Sequence, residues 1–196
     1  MDALAAITLR RSTGRLSAPG PTAEQLSTIL DAAACAPDHG ELRPWRFVIL
    51  EGQAKDYFGQ VLASAYLERC RAEGIDPIEG KLEKERTKLG RAPTVVIVAV
   101  EPTAGAIPTI EQVSAVAAAT QNMLLAATAL GVGSMWRTGE PCYDPHVREA
   151  LDLPETALLL GFVYLGSAAE GVLDEVRPSR AADGWVRRLT PGAPPR

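Results

Sequence analysis

A chain of 196 residues that is 46% hydrophobic and 22% charged can bury a core of its own without disulfides or metal, and one domain over 1–196 is the expectation. Its net charge of -4, with both signs interleaved, leaves no basic stripe for a nucleic-acid backbone. Cys35, Cys70 and Cys142 are widely spaced and odd in number, which excludes a CxxC zinc pair and a disulfide framework and fits a reducing cytoplasm.

Residues 2 to 10 read as a helix carrying Leu4, Ile7 and Leu9, ending before Gly14, with no apolar run of the kind a cleavable leader needs. Thr22 followed by Gln25 is a capping box, and Leu26, Ile29, Leu30 and Ala33 make the apolar stripe of a second helix that Pro37 closes. The segment 37 to 45, PDHGELRPW, is a loop of turn-formers, and Arg46 to Leu50 reads as a short buried strand. Tyr57, Phe58, Val61, Leu62, Ala65 and Tyr66 then repeat at helical spacing, whereas residues 79 to 91, dense in Lys, Glu and Arg, predict a solvated helix or lid.

Thr94 to Val100 is a run that is β-branched at every position except Ala99, suited to an interior strand covered on both faces. Residues 112 to 136 carry no formal charge and are long enough to cross a bilayer. Ala dominates that stretch, however, and Thr120, Gln121, Asn122 and Thr128 lie near its middle, so a buried central helix is the reading and a membrane span is not. Ser134 to Arg137 returns as a strand edge before a turn at 138 to 141, Asp144 caps a short helix, and Ala157 to Leu165 is the last strand. Helices and strands alternate, which predicts an α/β (α+β) arrangement. Residues 168 to 196 have no sustained period and read as a C-terminal arm.

Few residues announce chemistry by type alone. Arg10, Arg11 and Arg15, with Ser12 between them, offer donors for a phosphate, yet basic residues at a helix end also simply complement its dipole. His39, in a Pro- and Gly-flanked loop beside Asp38 and Glu41, can meet a ligand ring or stand free in solvent. His146, on a short helix beside Arg148 and Glu149, reads as surface or packing and not as a site residue. Trp45 and Trp136 can each line a pocket or fill a core. Gly131-Val-Gly133 follows a helix and precedes a strand, which rejects a dinucleotide-binding fingerprint, and the chain has neither a GxxxxGK[ST] phosphate loop nor a GxSxG nucleophile elbow.

Three motifs occur in an informative order: RRS at 10 to 12, APDHGELRPW at 36 to 45, and ALGVGSMWRTG at 129 to 139. Together they resemble the nitroreductase family of FMN-dependent oxidoreductases, over nearly the whole chain and in its small bacterial branch. The resemblance implies a three-layer sandwich, with a mixed, mostly antiparallel sheet flanked by helices, and a homodimer holding FMN at the subunit interface. It further implies Arg10, Arg11 and Ser12 as ligands of the phosphate and ribityl groups, Cys35 and His39 as contacts from the other subunit, and Trp136, Arg137, Thr138 and Gly139 as the segment passing the flavin N5 edge. The long Ala-rich helix would be the central dimer helix, apolar on nearly every face. Hydride would pass by ping-pong turnover from NADH or NADPH through flavin N5 to a nitroaromatic, quinone or similar small planar acceptor. No catalytic side chain and no metal are then required, and Arg11 or Arg15 would favour the anionic reduced ring. The rival expectations are a non-enzymatic FMN-binding or storage protein and another flavin-dependent reduction on the same scaffold. Asp38, Glu41 and Arg43 depart from the family's usual loop residues, Gly14 stands where a basic residue is typical, and Arg177 or Arg180 is the candidate C-terminal phosphate ligand.

Overall fold

In the computed structural model, residues 1–173 and 182–188 are described. Helix α1 (Ala3–Leu9) starts where the Asp2 side chain accepts from Ala5 N at 2.8 Å. Helix α2 (Ala23–Ala34) starts on the expected reciprocal cap: Gln25 N donates to Thr22 Oγ1 at 3.1 Å and Thr22 N donates to Gln25 Oε1 at 2.9 Å, so two orphan donors of the first turn are satisfied. Strand β1 (Trp45–Glu51) leads into α3 (Gln53–Glu73), and the charged segment forms α4 (Glu79–Thr87) and a short 3-10 turn, Lys88–Arg91. Strand β2 (Thr94–Val100), helix α5 (Thr109–Ala129), strand β3 (Gly133–Arg137), helix α6 (Pro145–Glu149) and strand β4 (Leu158–Gly166) complete the body.

The four strands lie in the order β1-β2-β4-β3 and pair antiparallel throughout. A parallel element comes from a single isolated bridge, from Ser12 to Ser134 of β3. Every residue of β2 is buried, as its largely β-branched run predicts. Its period of two divides the core. Val95, Ile97 and Ala99 join Leu50, Phe58, Leu62, Phe162 and Tyr164 on the α3 side, while Val96, Val98 and Val100 join Ile29, Val116, Met123 and Leu165 on the side of α2 and α5. The sheet is therefore the middle of three layers.

Helix α5, 21 residues with Glu111 in its first turn and no other charge, shows why a nearly uncharged helix with polar residues suits a protein interior. Thr120 and Thr128, both buried, return their hydroxyl protons to Val116 O at 2.8 Å and Leu124 O at 2.9 Å. Buried Gln112 clamps the preceding loop, accepting from Thr103 N and donating to Thr103 O, both at 2.9 Å. No described helix is long and apolar enough to cross a membrane. The helix begins earlier than residue 112, at Thr109, and in the single chain it is not enclosed on nearly every face: Ile110 is 69% exposed, and Ser114 and Gln121 are exposed along the same outer stripe.

Helix α4 is mostly solvated, as its charge density predicts, except that Glu85 and, beyond its end, Leu89 are buried. Of the segment read as an arm, residues 168–173 and 182–188 are described, the latter including a short turn at Asp183–Trp185. Arg177 and Arg180 lie outside the described residues.

Candidate functional site

The end of α1 and the strand β3 are joined by the backbone. Thr13 N donates to Ser134 O at 2.9 Å and Ser12 bridges Ser134, so Arg10, Arg11 and Ser12 run alongside the start of the strand whose far end is Trp136 and Arg137, followed by Thr138 and Gly139. Two motifs more than a hundred residues apart thus meet at one sheet edge. Beneath them, the hydroxyls of Thr13 and Ser134 are buried and have no hydrogen-bond partner among the described residues, a costly arrangement unless a further group reaches them.

Arg137, Thr138, Gly139 and Glu140 line a cleft of about 320 Å³ together with Pro141, Phe162 and Tyr164 and with Lys81, Lys84, Glu85 and Lys88 of the charged segment. Glu85 is held by Lys88 at 2.5 Å, and Glu140 by Lys81 at 3.3 Å and Arg69 at 3.4 Å. Neither Lys84 nor Arg137 has a carboxylate partner among the described residues; Arg137 Nε donates to Met135 Sδ at 3.3 Å. Aromatic residues beside uncompensated positive charge suit a planar ring with an anionic edge.

Burial pushes the Tyr164 phenol up to about 12, against the pull of Arg137 and Arg91, and burial also raises the Cys142 thiol. For Tyr164 the folded value lies above the unfolded one, so its contribution to stability is complete below pH 10 and is lost as pH rises toward 12. Tyr164→Phe is expected to flatten the alkaline limb of a stability profile over that range, measured by urea unfolding; an unchanged limb would assign the loss to another group.

Cys35 and His39 are elsewhere. Cys35 is exposed just beyond α2, and His39 sits on the wall of a second hollow of about 530 Å³ with Pro37, Asp38, Glu111, Ser114 and Ala115. This hollow lies on the α2 and α5 side of the sheet and shares no residue with the first cleft. Within one chain, therefore, the Arg10–Ser12 motif meets β3 at Ser134, two residues before Trp136, while Cys35 and His39 line or flank a different hollow. The Trp136 indole is turned into the core on the α2 and α5 side, where Nε1 donates to Leu160 O at 3.0 Å. Trp45, half-buried in β1, packs in the same core. His146 is exposed. Arg15 lines a separate hollow with Arg91 and Ser167 instead of the cationic cleft. The cations that do line the cleft are Lys81, Lys84, Lys88 and Arg137.

Those lysines were legible only as charge density, and their convergence on β3 depends on how α4 folds back over α3. Gly59 lets that approach happen: a Cβ there would stand 2.1 Å from Arg86 O.

Comparison with known proteins matches residues 7–167 to the Nitroreductase family model. YdjA of Escherichia coli (strain K12), whose name carries the NAD(P)H nitroreductase designation, is 38% identical over 168 residues, covering 85% of this chain and 88% of the relative. A Haemophilus influenzae protein of the same designation is 35% identical over 179 residues, covering 90% and 94%. Among solved structures, a nitroreductase with bound FMN from Bacteroides fragilis superimposes with a TM-score of 0.71 at 28% identity, over 97% of this chain and 100% of that one. A nitroreductase-like protein from Bacillus cereus, at 21% identity over 96% of both chains, shares the fold with a TM-score of 0.77.

Proposed function

Because the chain belongs to the nitroreductase family, we propose that it binds FMN and passes two electrons, as hydride, from NADH or NADPH to a flat acceptor such as a nitroaromatic or a quinone. The observation that carries this reading is the cleft beside Thr138 and Gly139, with its aromatic residues and surplus of cations. FMN, when bound, would supply the redox chemistry, hydride transfer at its N5.

The chain supplies position and charge. Arg10, Arg11 and Ser12 hold the phosphate and ribityl groups through charge-assisted hydrogen bonds. Thr138 and Gly139 border the reacting edge, and Arg137 and Lys84, the cleft's cations without a carboxylate partner among the described residues, add to the positive charge that Arg11 or Arg15 is expected to offer the ring. Cys35 and His39 reach the flavin of a second subunit, consistent with their separation from the cleft within one chain. Leu4 (75% exposed) and Ile7 (52%) on α1 and Ile110 on α5 supply apolar surface for a homodimer. Residues 1–196 act as one domain, and the unpaired cysteines fit the cytoplasm.

If donor and acceptor use the same cleft in turn, turnover is ping-pong, and initial rates measured at several acceptor concentrations give parallel reciprocal lines; intersecting lines would contradict a shared site. Arg10→Ala is expected to weaken FMN retention by about 1.5 kcal/mol through loss of a charged donor, read by fluorescence titration of the flavin. Unchanged retention would remove Arg10 from the site.

A further inference from the structure

We propose that Glu111 is the positioning residue for His39, fixing which ring nitrogen carries the proton and holding Nε2 out toward the flavin of a second subunit. The inference rests on the FMN reading above and adds to it a residue from α5. Glu111 Oε2 lies 2.6 Å from His39 Nδ1, across 72 positions of sequence. A carboxylate can only accept, so the proton on that contact belongs to Nδ1. The neutral ring then presents a proton-free Nε2 acceptor, and the charged ring presents an Nε2–H donor; in both states Nε2 faces away from Glu111.

Both ends of the contact are fixed by their surroundings. Glu111 is in the first turn of α5, beside Gln112, whose two bonds to Thr103 anchor that end of the helix. The His39 loop is closed by Arg43 N donating to Asp38 Oδ2 at 2.6 Å. Gly40 turns it with φ 78°, a left-handed conformation in which a Cβ would meet Ile107 Cδ1 at 2.4 Å. The charged groups that line the hollow with His39 are Asp38 from its own loop and Glu111 from α5, and Glu41 and Arg43 follow in the same loop. With side chains 69% and 45% exposed, His39 and Glu111 form a pair that contributes little to folding, so the pair's use lies in direction: it points one imidazole nitrogen across an open hollow.

The chain has only two histidines, so imidazole nitrogen NMR separates His39 from His146. At mildly alkaline pH the wild-type protein is expected to show His39 in the Nδ1–H form, and Glu111→Ala to move it toward the Nε2–H form. Glu111→Gln, which keeps an acceptor oxygen, should retain the wild-type tautomer. In parallel, Glu111→Ala and His39→Ala should each raise the FMN dissociation constant by roughly 10-fold, and the double variant should be no worse than His39→Ala. An unchanged His39 tautomer in Glu111→Ala, or losses that multiply in the double variant, overturns the positioning role while leaving the FMN reading intact. Failure of the wild-type protein to retain FMN overturns that reading, and with it the flavin-facing half of the inference.

Discussion

Gly161→Ala is expected to lower stability by about 3 kcal/mol or more. Gly161 lies in β4 opposite Val98, where the register slips between Val98 and Ala99, and its φ is 143°. Side chains rarely tolerate that conformation, which costs roughly 1–3 kcal/mol by itself. A Cβ at this place would also stand 2.5 Å from both Arg137 O and Trp136 Nε1. Neither neighbour can yield easily, because one is strand backbone and the other is held by its bond to Leu160 O. The substitution must push β3 away from β4, adding roughly 1–3 kcal/mol of overpacking. Urea unfolding of wild type and variant measures the difference; a loss below about 1 kcal/mol would contradict the close approach.

Arg137→Ala carries the second large effect, on cofactor and not on folding. The guanidinium lines the cleft without a carboxylate partner among the described residues, so its removal leaves no buried anion behind and the fold has little to lose. A charge-assisted contact to the ring is worth about 1.5–3 kcal/mol, which predicts an FMN dissociation constant roughly 10- to 100-fold higher with an unchanged circular dichroism spectrum. Equal retention by variant and wild type would take Arg137 out of the flavin's contacts. Lost secondary structure would assign it to folding instead.

The two variants separate what the sequence makes legible from what it hides. The central strand follows from β-branched residues alone, and the start of α2 from Thr22 and Gln25, because both signals are local and agree with the tertiary context. The meeting of the Arg10–Ser12 motif with β3 is legible only through resemblance: no periodicity announces that Ser12 will bridge Ser134. The cationic lining of the cleft is least legible. Lys81, Lys84 and Lys88 sit in a segment whose composition predicts a solvated surface, and most of it is solvated. What brings part of it to the cleft is the close contact at Gly59, a long-range packing event invisible in a charge count. The Glu111 contact to His39 is hidden for the same reason, since α5 reads as an uncharged helix only from residue 112 onward and begins, in the fold, at Thr109.

The most direct test of the central claim is the absorbance spectrum of the purified protein after incubation with FMN and desalting, followed without oxygen by NADH and then NADPH. A retained flavin band that bleaches rapidly with one or both donors is the predicted result. A colourless protein would contradict FMN binding, and a retained band that neither donor bleaches would make the chain a flavin carrier and not an oxidoreductase.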